Sequence, residues 1–399
     1  MARNRNFLIF LLAFTVLLVT LIFTDAWPGL RGPAPDTAEW HWLYRLRPFS
    51  RWWLPLVVGA GLVGLMAWWQ QTRRRRLGLA LLVVGNLLLQ GALVYAEKPA
   101  VLTELIERTL ADETNGYFRL AAATDDLNSL LRSYPSLMPT FPSEHTRTHP
   151  PGLILANWLV IQAFTRWPDL SQTIAERIWP LRCTDLWLLD GPPAVAAALA
   201  AVALLTMLAG ALTVIPTYGL ARRLLPEPAA RLAAAFVATL PSLTIFTPTP
   251  VQVDVLLATT ALWCLHEGIC RKTNGWLFTY LSGLLLSVTT FSSLGNGALV
   301  LLFTGYGAWQ WWTKRPSLPF LHLFTPLTWL GVGSGTVWLV YWAGWGVPPW
   351  AVVQEGLAQH YELVTLHRRY EWWLVYNALD VLIFAGPAIV LGFLLLFRK

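Results

Sequence analysis

Runs of roughly 20 apolar residues, the length a helix needs to cross hydrocarbon, recur along the 399-residue chain from 7–24 to 374–397. A soluble core has no room for so many. Hydrophobic residues make up 55% of the chain and charged residues only 13%, about half the charged share of an ordinary soluble domain. The pattern predicts an all-α, polytopic membrane protein with ten spans, at 7–24, 52–70, 77–96, 192–219, 229–247, 251–267, 277–293, 297–312, 320–343 and 374–397. The first run lacks a small-residue cleavage site and is expected to stay as a span. Cys183, Cys264 and Cys270 are too few and scattered for a disulfide framework or thiolate metal site. The 23 tryptophans gather at span ends, as in Trp68-Trp69 and Trp372-Trp373, where an amphipathic ring suits the headgroup layer.

A net charge of +7 in a soluble protein would point to nucleic acid. In a membrane chain the basic residues must first be sorted by the side they face, and no nucleic-acid partner is expected. With the N-terminus inside, the loops holding Arg73–Arg76, Arg222-Arg223-Arg231, Arg271-Lys272, Lys314-Arg315 and Arg398-Lys399 all fall in the cytoplasm, as the positive-inside rule asks. Fifteen of the 29 basic residues then lie inside, but of the 22 acids only Glu227 and Glu267 do. Both termini are placed in the cytoplasm, the long loops outside, and the whole in the plasma membrane. This sorting also creates a parity problem. Three spans carry residues 97–150 outside, yet 192–219 must run from outside to inside, so 151–190 crosses twice or not at all. Its apolar stretches are short, and a re-entrant or interfacial helical hairpin beside a cavity fits best.

Loop 97–150 carries two apolar periodicities, over 99–110 and 120–131, that predict amphipathic helices at the membrane surface. Asp112, Glu113, Asp125 and Asp126 lie between and within them; the plain alternative for each is a solvated acid. The loop ends in Pro142-Ser-Glu144-His145-Thr-Arg147-Thr-His149-Pro-Pro-Gly152, a dense ionisable cluster before an apolar helix. Its two prolines enforce an extended approach and leave a helix N-terminus facing any anionic ligand. His145 and His149 have zinc-like spacing, but the prolines spoil the helical geometry that spacing needs. Asp254 opens the 251–267 span after a Pro-broken loop, where an ionisable group is a functional candidate or a first-turn acid favoured by the helix dipole. Asp380 is similarly placed in the last span. Arg368-Arg369, on loop 344–373, could hold a phosphate or reach for headgroups.

Together these features resemble the GT-C class of membrane glycosyltransferases, which includes protein O-mannosyltransferases and lipid A aminoarabinose transferases. The resemblance runs over roughly 80–310. Tyr95-Ala-Glu-Lys leads to Asp112-Glu113-Thr-Asn-Gly-Tyr117, where that class has an acidic pair before a tyrosine. His149-Pro-Pro-Gly152 matches its Pro-Pro return to the membrane, although His149 stands where a lysine is common. Tyr218-Gly-Leu-Ala-Arg-Arg, an Ala-rich span, Pro241-Ser-Leu and Asp254 follow in the order of the class.

The resemblance implies one integral membrane domain over 1–399: two extra spans in 1–76, a transferase-like core in 77–312, and C-terminal spans in 313–399. It further implies a polyprenyl-phosphate sugar donor and an outer-face acceptor that is a glycan, lipid or protein. Asp112 or Glu113 would be the base, Asp254 would orient acceptor or base, and Asp125-Asp126 is a rival pair. Glu144, His145, Arg147, His149, Arg368 and Arg369 would contact substrate. Some members of the class use a divalent metal; no ligand set here obliges one. The competing class is a transporter or flippase for a lipid-linked or anionic solute, against which stand the absence of an internal repeat and the one-sided loop. A non-catalytic scaffold is the third.

Overall fold

The computed structural model describes residues 2–32, 41–44, 49–112, 115–182, 185–271, 273–313 and 321–396, without the side chains of 2–5, 49, 311, 321–323, 395 and 396. It is all-helical, with no strand among the described residues. Three long helices come first: α1 (Ala2–Thr24), α2 (Trp53–Gln71) and α3 (Arg75–Glu97). A segment of short helices follows: α4 (Val101–Leu110), α5 (Tyr117–Ala122), α6 (Leu127–Arg132), α7 (Tyr134–Leu137) and α8 (Glu144–Thr148). Then come α9 (Gly152–Thr165), α10 (Pro168–Arg177), α11 (Trp179–Arg182) and α12 (Leu186–Asp190). The long α13 (Pro193–Leu212) runs almost directly into α14 (Val214–Leu224), and α15 (Glu227–Ala238) and α16 (Pro241–Thr244) lead to α17 (Val251–Cys270). The rest is α18 (Gly275–Ser292), α19 (Gly297–Thr313), α20 (Leu321–Trp345), α21 (Pro349–Leu363), α22 (Tyr370–Ala385) and α23 (Pro387–Leu396).

By length and composition, five of the described helical segments suffice to cross a membrane: Asn6–Thr24, Trp53–Gln71, Arg75–Glu97, Pro193–Leu224 and Val251–Cys270. A sixth, α22 with α23, is bent by 112°, where Gly386 at φ 86° precedes Pro387. The ten expected segments differ from this in informative ways. The segment expected at 229–247 is a 12-residue helix followed by a turn at Pro241, about 18 Å long at 1.5 Å per residue and too short to span. Helices α18, α19 and α20 occupy the next three expected positions, their apolar runs diluted by Ser, Thr and Gly.

The parity of the charged loops finds its explanation in α13. Gly210 abuts the Gln252 side chain at the start of α17, and Arg223 at the end of α14 pairs with Glu267 near the end of α17. The two helices therefore run side by side in the same direction. The part of α13 before Gly210 rises past the level where α17 begins, by roughly 24 Å. Around that raised half packs a core of Tyr117, Phe118, Tyr134 and Met138 from the first loop, Ile154 and Ile161 of α9, Ala175 of α10, and Tyr341, Val347 and Val352 from the ends of α20 and α21. Ala196, Ala198 and Leu199 of α13 are fully buried there; their small side chains let neighbouring helices approach closely. Segment 151–190 is thus a helical hairpin on the raised half, and the 14 residues of α9 reach only about 21 Å.

The first expected amphipathic helix is α4, whose Leu105, Ile106 and Leu110 are buried. It is held by ions: Arg108 pairs with Glu97 and Glu104, and Lys98 with Glu104 and Glu107. Burial works against ionising Glu104, but hydrogen bonds from Lys98 and Arg108 outweigh it and hold its carboxyl below the usual range. The second expected helix, 120–131, is in fact two. Asp126 accepts from the backbone N–H groups of Asn128 and Ser129 and starts α6 afresh.

At the opposite end, the two acids assigned to the inner side sit among arginines. Glu227 meets Arg75, Arg222 and Arg231 as well as the Tyr218 hydroxyl, and Glu267 meets Arg223 and Arg271.

A buried amide network ties the core together. Gln90 of α3 donates to Asn86 Oδ1 (2.6 Å) and the Met207 carbonyl (3.1 Å), and its own oxygen accepts from Thr247 (2.6 Å) and Gln252 (3.0 Å). Replacing Gln90 by Leu orphans several of these groups at about 1–3 kcal/mol each. Gln90→Leu is expected to lower the thermal midpoint in detergent clearly, and Gln172→Leu, at an exposed pair with Glu176, to leave it within error; equal midpoints would contradict the assigned role of the network.

Candidate active site

The Pro-Pro elbow leads α9 into the fold as expected. His149 is extended (φ −112°, ψ 152°), its carbonyl accepts from the Tyr134 hydroxyl at 2.9 Å, and Gly152 then touches the end of α18. A Cβ on Gly152 would stand 2.3 Å from the Phe291 carbonyl oxygen, so only glycine allows this approach. The His149 ring lies edge-on to Tyr117, centroids 5.8 Å apart, and its Nδ1 bonds the His145 carbonyl at 2.9 Å. That bond requires the Nδ1–H tautomer and leaves Nε2 as an acceptor. Burial, reinforced by the charges of His145 and His360, pushes the His149 pKa down to about 4. The buried ring therefore favours its neutral form near pH 7.

The acidic motif approaches the same place from α4. Gly116 adopts φ +65°, and a Cβ there would fall 2.3 Å from Ser143 Oγ and 3.5 Å from Asp112 Oδ1. The turn thus packs Asp112 beside the start of α8. Asp112 is exposed; Glu113 lies outside the described residues. Asn115 is buried, and its Nδ2 donates to the Arg108 carbonyl at 2.7 Å. Tyr117 is buried too. Burial, with the charge of Asp254, raises its phenol well above the usual range.

Asp254 comes from below. It is 8% exposed in the first turn of α17. Oδ2 accepts from Asn296 Nδ2 at 3.0 Å, and Asn296 also donates to the Thr289 carbonyl; Oδ1 is buried without a partner. Between these parts lies a cavity of about 510 Å³, lined on one side by Asn115 and Tyr117 and elsewhere mostly by apolar side chains of α9, α13, α17 and α18, with Asn157, Thr206 and Ser292 among them. Pro250, Val253 and Leu257, on the α17 face that carries Asp254, form part of its wall.

The remaining expected residues do not converge on it. Asp126 caps α6, and Asp125 and Glu144 are exposed. Arg147 donates from Nε to the Phe141 carbonyl at 2.6 Å. Arg368 stacks on Trp373 at 4.6 Å and, with Arg369, opens α22. None of these six, nor His145, lines the cavity. No three described His, Cys, Asp or Glu side chains are arranged to hold a metal ion. Sequence reasoning missed Asn115, Tyr117 as a wall residue, and Asn296. The first two lie within the quoted acidic motif, while Asn296 meets Asp254 only through the fold.

Two outcomes follow. Gly152→Ala is expected to destabilise the protein by about 1–3 kcal/mol, read as a lowered thermal midpoint; an unchanged midpoint would show that α9 and α18 are not in backbone contact. For His149, the folded state favours the neutral ring, so the unfolded chain binds the extra proton between about pH 4 and 6.5. Stability present above pH 6.5 is expected to fall as pH drops through that window, and His149→Gln to flatten the fall in midpoint-against-pH curves. An identical curve for the variant would count against a buried neutral ring.

Comparison with known proteins agrees with this geometry over part of the chain. No curated protein and no solved structure gives a significant match. Residues 187–337, from α12 to α20, match the family model of dolichyl-phosphate-mannose-protein mannosyltransferases, which supports a membrane glycosyltransferase of the GT-C type.

Proposed function

We propose that the chain transfers a sugar from a polyprenyl-phosphate donor to an acceptor at the outer face of the plasma membrane, both termini lying inside. One observation carries the reading: a largely apolar cavity closes at one end on Tyr117 and Asn115, with a buried carboxylate, Asp254, next to its wall residue Val253 and Asp112 beside the same turn. Apolar walls suit an isoprenoid chain and the polar end its head. That the matched segment supplies α13, α17 and α18 adds to this.

In the proposed reaction Asp112 or Glu113 accepts the proton of the acceptor hydroxyl as its oxygen attacks the anomeric carbon. The bond to the phosphate oxygen breaks, and the lipid phosphate leaves with the electron pair, which inverts the anomeric centre. Asp254, fixed by Asn296, orients the reacting groups. Arg147, Arg368 and Arg369 are the cations the proposal holds for phosphate, and it requires no metal. The outer-face assignment rests on the charge pattern and on Glu227 and Glu267 being neutralised at the opposite end.

Purified protein with radiolabelled dolichyl-phosphate sugars tests this. Asp254→Asn and whichever of Asp112→Asn and Glu113→Gln removes the base are expected to lose about 10²–10⁴-fold in turnover, whereas Asp126→Asn, which keeps a good helix cap, stays near wild type. Full turnover in all three acid variants, or passage of label across sealed vesicles without chemistry, would refute the reading.

A further inference from the structure

Two buried acceptor atoms have no partner, one on Asn115, which lines the polar end of the cavity, and one on Asp254, next to the wall residue Val253. Asn115 is 5% exposed; its Nδ2 is committed to the Arg108 carbonyl at 2.7 Å, which settles the amide orientation and leaves Oδ1 with no donor. Asp254 Oδ1 is in the same condition. Asp254 adjoins Val253 of the cavity wall, and its charge bears on the Tyr117 phenol, two residues from Asn115. Asn157, on the apolar α9, also lines the wall; its amide makes no hydrogen bond among the described residues. Orphaned buried acceptors cost about 1–3 kcal/mol each, and folded proteins rarely keep them where nothing binds.

We infer that Asn115, Asp254 and Asn157 form a subsite that reads the hydroxyl groups of a sugar ring. The inference rests on the transferase reading and says which part of the donor lies where. Orphan acceptors call for a ligand rich in donors. A phosphate offers only acceptor oxygens at neutral pH and would meet the Asp254 carboxylate. The nearby guanidinium of Arg108 is already engaged by Glu97, Glu104 and the carbonyls of Ile245 and Thr247. A ring carrying several hydroxyls satisfies Asn115 Oδ1 and Asp254 Oδ1 as donor, and Asn157 can both give and receive. The lipid phosphate therefore lies off this end, and its isoprenoid chain follows the apolar walls.

The test compares binding of dolichyl-phosphate mannose and dolichyl-phosphate glucose with that of bare dolichyl phosphate to the full chain in detergent. Wild type is expected to prefer at least one sugar lipid. Asn115→Leu and Asn157→Leu are each expected to lose about tenfold in affinity for that lipid while holding bare dolichyl phosphate as before. Asn157→Leu breaks no internal hydrogen bond, so it keeps the test valid if Asn115→Leu is unstable by its thermal midpoint. If both variants keep the wild-type preference, or weaken the sugar lipid and the bare lipid alike, the subsite is wrong and the transferase reading stands. If wild type itself binds all three lipids equally, the transferase reading falls with it.

Discussion

The structure depends on how four buried polar side chains satisfy one another. Asn86 and Gln90 on α3 and Gln252 on α17, with Thr247 between, exchange hydrogen bonds and also hold the carbonyls of Met207, Ala238 and Leu243. Where the surroundings offer no water, an amide left alone would cost several kcal/mol, so this set is made together or not at all. It clamps the Pro-rich turn between α16 and α17 against α3 and α13, and thereby sets where α17 begins. Asp254 lies two residues beyond Gln252. The depth and direction of the proposed catalytic end are consequences of a network that touches no substrate.

Above that clamp the forces change in kind. The raised half of α13 offers alanines rather than polar groups, and the short helices of 101–190 assemble on it by apolar packing, with ion pairs around Arg108 and between Arg119 and Asp185. His149 belongs to this layer: its ring packs edge-on against Tyr117, and hydrogen bonds of Nδ1 with the His145 carbonyl and of its own carbonyl with Tyr134 hold the elbow that delivers α9. Apolar and polar demands meet at the cavity, where α9 contributes apolar wall and a single amide, Asn157.

Much of this was legible beforehand, for physical reasons that differ from element to element. Long apolar runs announce helices regardless of context, so α1, α2, α3, α13 and α17 were readable, and the Pro-Pro elbow was readable because proline restricts its own backbone. The hairpin of 151–190 was the reading that best fitted the charges counted on alternate sides. Less legible was anything set by one local bond: Asp126 splits a helix that periodicity alone continues, and Gly386-Pro387 bends one that hydropathy alone extends. Burial could not be read either. His149 is one of an ionisable cluster in sequence and a buried ring packed on Tyr117 in the fold, and Asn296 has no local mark that ties it to Asp254, 42 residues earlier.

The central claim is that a lipid-linked sugar enters this cavity with its ring toward Asp254. An experimental structure with a non-transferable polyprenyl-phosphonate sugar would test it most directly. The account predicts the ring beside Asn115, Tyr117 and Asp254, with the isoprenoid chain along α9 and α13. A sugar seated at the arginine-rich end around Glu227 and Glu267, or an empty cavity with the lipid bound elsewhere, would contradict it.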